Sequence, residues 1–169
     1  AADTHQVKIN ALPDVNFSPL DTAYCINHSS VNLIGSPSGG IFTGDGITGS
    51  TFTPFIIGLN TINYLYKDSN GCSNSSSKIT QVVPFPVANI SGLDTICDGE
   101  STLLIANNIG SPVWSTGEST AQINVSPDVS TNYFVTARNF CGSKTDSFLV
   151  TVKPIPVSTI SHDTSIFIG

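Results

Sequence analysis

Four cysteines, three histidines and a scattering of carboxylates are the residues of this chain with chemistry to offer. The cysteines are Cys25, Cys72, Cys97 and Cys141, and no two of them stand in a Cys-x-x-Cys pair. The histidines, His5, His28 and His162, lie far from them in sequence. Zinc sites draw closely spaced Cys and His ligands, so this spacing argues for disulfides in an oxidising compartment. There is no Gly-x-Ser-x-Gly, no His-Glu-x-x-His and no glycine-rich phosphate loop, so the sequence expectation is that the chain is not an enzyme. His28, between Asn27 and Ser29, reads as a solvated loop histidine. Asp68-Ser69-Asn70-Gly71 echoes the opening of a calcium loop but lacks its terminal Glu, and the competing reading is a hairpin turn. No cofactor is expected; a calcium site joining junction carboxylates such as Asp14, Asp94 and Asp98 stays open beside that expectation.

Composition narrows the partners. With 6 Lys+Arg against 12 Asp+Glu and a net charge of −6, nothing resembles a phosphate-binding surface, and no nucleic-acid partner is expected. No apolar run is long enough to span a membrane. The start, Ala1-Ala2-Asp3-Thr4-His5, is unlike a signal peptide, so a signal has been removed or the chain is an interior piece. Met is absent and Ser, Thr, Asn, Val, Ile, Gly and Pro dominate, which favours short strands and turns.

The elements that position the cysteines come in copies. Pro13-Asp14-Val15-Asn16-Phe17-Ser18-Pro19-Leu20-Asp21-Thr22 returns 73 positions later as Pro86-Val87-Ala88-Asn89-Ile90-Ser91-Gly92-Leu93-Asp94-Thr95, and a third copy opens at Pro156. Ser36-Pro37 corresponds to Ser111-Pro112, and Phe42 to Trp114. Tyr64 stands eight residues before Cys72, as Tyr133 does before Cys141. Short alternating segments bounded by turn residues, about seven to a copy, describe an all-β architecture of tandem immunoglobulin-like sandwiches. The expected organisation is the last strand of a preceding repeat over 1–12, repeat 1 over 13–84, repeat 2 over 85–155, and the start of a following repeat over 156–169. Trp114, Phe42, Tyr64 and Tyr133 read as core; Tyr24, Phe55 and Tyr66 are the candidates for an exposed patch of rings that a sugar would need.

Several phrases resemble a known repeat class. Ile96-Cys97-Asp98-Gly99-Glu100-Ser101, Trp114-Ser115-Thr116-Gly117-Glu118, Asn139-Phe140-Cys141-Gly142 and Tyr66-Lys67-Asp68-Ser69-Asn70-Gly71-Cys72 are similar to the Ig-like and PKD-like repeats of Bacteroidota cell-surface proteins. Such repeats are strung in long arrays in adhesins resembling those of gliding motility, exported by the type IX secretion pathway. The resemblance implies an extracellular, bacterial cell-surface location. It implies a structural segment acting as a rigid spacer in adhesion or gliding motility, with neighbouring repeats of the same chain as its partners. The alternative is a module that binds carbohydrate or protein, with surface polysaccharide or the substratum as ligand. It also implies a glycoprotein: Asp21-Thr22-Ala23 and Asp94-Thr95-Ile96 resemble the O-glycosylation motif of these bacteria, which makes Thr22 and Thr95 the candidates, against a plain role for Asp-Thr in kinking the first strand.

Two cysteine pairings compete. Bridges inside each repeat, Cys25–Cys72 and Cys97–Cys141, are natural for copies that each carry both residues. Topology argues the other way. Cys97 precedes the Asp98-Gly99-Glu100 turn at the far pole of its repeat, and Cys141 sits at the final hairpin, at the near pole. A strand of about six residues spans roughly 20 Å, whereas bridged Cα atoms lie within about 7 Å. A ladder would instead join Cys25 to Cys141, leaving Cys72 for the preceding repeat and Cys97 for the following one.

Overall fold

The computed structural model describes His5, residues 8–107 and residues 111–157. The described residues form strands and turns without a helix, and the chain divides between Phe85 and Pro86 into two compact units. The second unit is a sandwich of two sheets and the first sets two small sheets against one large one, both in an all-β immunoglobulin-like fold.

In the second unit, β10 (Ile90–Ser91), β12 (Thr102–Ala106) and β14 (Gln122–Val125) make one sheet in that order. The other has the order β11 (Thr95–Cys97), β16 (Gly142–Lys153), β15 (Thr131–Asn139), β13 (Ser111–Trp114). The first unit repeats the plan. Its larger sheet has the order β2 (Ala23–Cys25), β9 (Ser73–Val83), β8 (Gly58–Lys67), β5 (Ile41–Thr43). Opposite it lie the pair β1 (Asn16–Ser18) with β4 (Ile34–Ser36), and the trio β3 (Val31–Asn32), β7 (Thr51–Phe52), β6 (Ile47–Thr48). Among the described residues the second unit thus has seven strands and the first has nine. The first gains two because its second strand is interrupted at the buried Leu33, whose N–H goes to the Ser50 carbonyl at 2.8 Å, and because Ile47–Thr48 adds an edge.

The opening strand of each repeat crosses between the sheets. β1 pairs antiparallel with β4, and after Pro19-Leu20-Asp21 the chain re-enters the other sheet as β2, parallel to β9. Proline has no N–H for a ladder, so the first pairing cannot continue through Pro19. In the second unit Gly92-Leu93-Asp94 makes the same switch between β10 and β11. The Thr22 and Asp94 carbonyls at these kinks accept from the Gln81 and Thr151 amides at 2.9 and 2.7 Å.

Alternation fills the space between the sheets. β12 reads buried-exposed-buried throughout, with Thr102, Leu104 and Ala106 inward. The second core gathers Ile90, Ile96, Leu104, Trp114, Tyr133 and Val135; the first is aromatic, built on Phe17, Tyr24, Phe52 and Tyr64. Phe42 lies opposite Tyr64 across β5 and β8, and Trp114 lies opposite Val135 across β13 and β15, so Phe42 and Trp114 do hold one position. Tyr64 and Tyr133 do not. The counterpart of Tyr64 is Val135, six residues before Cys141, because the last hairpin of repeat 2 is two residues shorter on that arm. A shift of two preserves the face of a strand, so both tyrosines still point inward. Burial also raises the pKa of the Tyr133 phenol above the ordinary tyrosine value.

His5 and residues 8–12 pair with no described strand. The residues expected to open a third repeat lie outside the described residues beyond Val157. The patch of rings is not exposed as a unit either: Tyr24 is buried against Phe52, and its hydroxyl accepts from the Asp21 amide, while Phe55 is exposed.

The tightest contact of the first core is Gly35 on Tyr64. A Cβ at Gly35 would stand 1.9 Å from Tyr64 Cζ. The ring is also pinned at its tip, where the hydroxyl donates to the Pro37 carbonyl at 2.6 Å and accepts from the Gly40 amide at 2.8 Å. Gly35→Ala is expected to cost about 3 kcal/mol and Tyr64→Phe about 1–2 kcal/mol. Hydrogen exchange in β8 and β9 should accelerate while that of β15 and β16 stays unchanged.

Candidate functional site

The two long hairpins place the cysteines. Cys72 closes the loop before β9, and Cys25 ends β2 opposite Val83, the last residue of β9. Ten residue steps of extended chain therefore separate Val83, at the Cys25 level, from Ser73, the residue after Cys72, about 33 Å at the usual rise. In the second unit Cys141 stands just before Gly142, the first residue of β16, and Cys97 lies opposite Lys153, the last. Eleven steps there amount to about 36 Å. Each repeat thus carries one cysteine at either end of its final strand, and neither pair can meet within its own repeat.

The oxidation states agree. Cys25 and Cys141 are disulfide-bonded, whereas Cys72 and Cys97 are free thiols, Cys72 half-buried and Cys97 exposed. The within-repeat bridges Cys25–Cys72 and Cys97–Cys141 are therefore corrected: the final strands, at 11 and 12 residues, hold those sulfurs at opposite ends.

Local chemistry explains both kinds of position. The Cys72 loop is organised by Asp68, whose Oδ1 accepts from the Asn70 and Cys72 amides at 2.9 and 2.8 Å while its own N–H goes to the Cys72 carbonyl. Gly71 supplies a φ of 89° there, so Asp68-Ser69-Asn70-Gly71 is a hairpin loop with its carboxylate on backbone donors. At the other hairpin the Asn139 side-chain oxygen accepts from the Cys141 amide at 2.8 Å. Cys97 is followed by a turn in which Glu100 reaches back, its Oε2 accepting from the Cys97 amide at 3.0 Å. Cys25 is followed by Ile26, whose N–H extends the pairing to the Val83 carbonyl.

The other candidate residues scatter. Thr22 and Thr95 are both exposed, beside the sheet-switching kinks. His28 is exposed; its Nδ1 meets the Ser29 carbonyl and its ring lies 5.4 Å from that of Tyr24. Among the described residues no three side chains of His, Cys, Asp or Glu converge as metal ligands, Asp14, Asp94 and Asp98 included. The Glu118 carboxyl sits below the usual range because the Thr116 hydroxyl hydrogen-bonds it in an exposed turn. A cleft of about 550 Å³ on repeat 1 is lined by Ile34, Gly35, Gly40, Ile41, Phe42 and Tyr64, among others, none with an ionisable group except the already bonded Tyr64 hydroxyl.

Sequence reasoning did not find Lys78, a feature of the first core. Its ammonium donates to the Phe17 carbonyl and stands 4.8 Å over the Phe17 ring, a contact across 61 positions that no local pattern encodes.

No protein-family model and no curated protein matches the chain. Among solved structures, the N-terminal four Ig domains of Dscam1 isoform 8.4 are similar, with a TM-score of 0.51 and 14% identity over 85% of this chain and 48% of that one. The mouse nectin-like molecule 4 full ectodomain gives 0.47 at 13% identity over 88% and 66%, and the amphioxus IgVJ-C2 molecule 0.45 at 18% over 81% and 87%. The likeness to the Dscam1 domains is one of fold, and this chain spans about half the length of that structure.

The thiol pattern is directly measurable. Titration of the unreduced chain with a thiol reagent is expected to find two reactive groups, the exposed Cys97 labelling ahead of the half-buried Cys72, and four after reduction and unfolding.

Proposed function

We propose that this chain is a structural segment of a long extracellular array, a spacer built from sandwich repeats coupled covalently through Cys25 and Cys141. The observation that carries the reading is the placement of cysteines at the two ends of each repeat's final strand, with one of each kind oxidised. A disulfide takes two sulfurs, and Cys25 and Cys141 belong to different repeats. Joined to one another, they tie successive repeats together and leave each core to its own packing. Short proline-bearing connections, Val83-Pro84-Phe85-Pro86 and Lys153-Pro154-Ile155-Pro156, limit what the chain between repeats can do. Together with the resemblance of the sequence phrases, this supports a rigid spacer in a Bacteroidota-type surface adhesin or filament, serving adhesion or gliding motility and exported by the type IX pathway. Exposed Thr22 and Thr95 are the positions where such a protein would carry O-linked sugars.

The second reading, a module that binds carbohydrate or protein, draws on the apolar cleft beside Gly40 and Phe42. A glycan array probed with the oxidised chain separates the two. Silence is expected of a spacer, and specific micromolar binding lost on Ile41→Asp would transfer the assignment to the cleft. Peptide mapping without reductant is expected to yield a Cys25–Cys141 linked peptide. Its absence would remove the covalent coupling from the proposal.

A further inference from the structure

We propose that the outer face of the larger sheet of repeat 1 is an interface between two copies of this chain. The inference goes beyond the spacer reading and does not depend on how the cysteines pair.

Strand register decides which residues share that face. Phe42, Tyr64 and Val82 pack into the core, so the residues on either side of each point outward. At one end of the face Ile41 lies directly beside Leu65. At the other, Thr61 lies beside Ile79, which puts Leu59 diagonally next to that isoleucine. Ile41, Leu59, Leu65 and Ile79 are 65, 74, 49 and 59% exposed, far more than a strand with one solvated face needs to leave apolar. Between the two apolar ends the outward positions are Thr43, Thr61, Asn63 and Ser77. Leu59 and Leu65 stand six residue steps apart, about 20 Å.

Charge selects the occupant. The chain carries 12 Asp+Glu against 6 Lys+Arg, yet β2, β5, β8 and β9 contain no carboxylate. Their two lysines stay clear of the middle of the face: Lys78 turns inward to the Phe17 carbonyl, and Lys67 is the last residue of β8. A basic partner finds nothing here to pair with, and a polyanion finds one lysine at the rim. The rings of these strands, Tyr24, Phe42, Tyr64 and Tyr66, all belong to the core, so the face lacks the stacking surface a sugar needs. What it offers is apolar area around neutral hydroxyl and amide groups, and a second copy offers the same. Between two chains of net charge −6 this contact also sets no carboxylate of one sheet against another.

The pattern fits itself. A two-fold axis crossing the strands between Thr61 and Asn63 lays the Leu65 end of one copy on the Leu59 end of the other. Apolar side chains then meet at both ends, and hydroxyl and amide groups meet in the middle, as an isologous contact requires. Sheets stacked in this way lie about 10 Å apart with their strands within about 30° of each other. At about 3.3 Å per residue and about 4.8 Å between strands, the two long strands and their short neighbours present about 500 Å² per copy. A total of about 1,000 Å² is the lower end for specific interfaces, so the dimer is weak and reversible.

Sedimentation equilibrium of the oxidised chain, with the exposed Cys97 thiol blocked by iodoacetamide, reads this directly. The mean mass is expected to rise from one chain towards two between about 10 μM and about 1 mM. Leu65→Lys and Leu59→Glu, both at exposed positions, should each weaken association at least about tenfold, while amide exchange in β8 and β9 stays as in the parent chain. Thr61→Arg should do the same from the middle of the face without removing an apolar side chain. Mixing the Leu65→Lys chain with the Leu59→Glu chain should restore association, because the two-fold sets the new cation against the new carboxylate in the mixed pair. A single-chain mass at about 1 mM would overturn the interface. So would association that ignores these variants, or that falls instead with Phe134→Lys in repeat 2. Failure of the mixture to recover would overturn the two-fold across the strands.

Discussion

In each repeat the last two strands form an antiparallel ladder, ten paired residues between β8 and β9 and nine between β15 and β16, and the rest of the sandwich is arranged about it. On one flank the ladder takes a short parallel strand, β2 or β11, and on the other an edge strand, β5 or β13. Its inward face sets the floor of the core, with Ile62, Tyr64 and Val82 in the first unit and Tyr133, Val135 and Val150 in the second. Because antiparallel strands run the length of the domain, the same ladder sets how far apart the two ends of a repeat lie. A cysteine fixed at one end by β2 or β11 and another fixed at the hairpin are held apart by backbone hydrogen bonds, which no side-chain motion can shorten.

The two copies fill one frame by different means. The first core relies on rings: Phe17 meets Phe42 edge-on at 5.5 Å, Phe42 lies 4.4 Å from Tyr64, and Tyr24 packs on Phe52 at 5.6 Å. Rings that large demand space from the opposite sheet, which is why the position facing Tyr64 must be Gly35. The second core puts its one indole at Trp114, with Nε1 donating to the Thr120 carbonyl at 2.9 Å, and surrounds it with aliphatic side chains. The counterpart of Tyr64 there is Val135, so bulk has moved from the long strand to the edge strand while the sum across the pair stays large. Such exchange conserves volume rather than identity, the condition under which cores tolerate divergence.

What the sequence made readable follows the same division. Alternation over residues 102–106 and 121–125 marks strands whose one face is buried, and the structure has them at Thr102–Ala106 and Gln122–Val125. The pairing of Phe42 with Trp114 was readable because a ring at a matched position survives in both copies. The equation of Tyr64 with Tyr133 failed because counting from a cysteine assumes hairpins of equal length, and those of this chain differ. The length of the closing strands was also hidden. Ser73-Asn74-Ser75-Ser76-Ser77 has a polar residue on both faces, so nothing in its pattern announces a strand, yet the ladder with β8 runs through it. The within-repeat bridges stayed open in the sequence because each copy carries both cysteines, a count that says nothing of the strand length between them. The Lys78–Phe17 contact and the Gly35–Tyr64 contact join distant segments and have no local signature at all.

Immunoglobulin-type domains of comparable size commonly bridge their sheets through the middle of the core, with a tryptophan packed on the sulfur. Here the middle of the core holds Leu104 and Val135 in one repeat and Leu33 and Tyr64 in the other, and Trp114 packs among side chains without sulfur. The cysteines stand at the ends instead. A bridge through the core stabilises by restricting the unfolded chain of its own domain, and a sulfur at a pole does little of that for the repeat that carries it. Ladder and ring packing therefore hold each repeat together without a bridge between its own two cysteines.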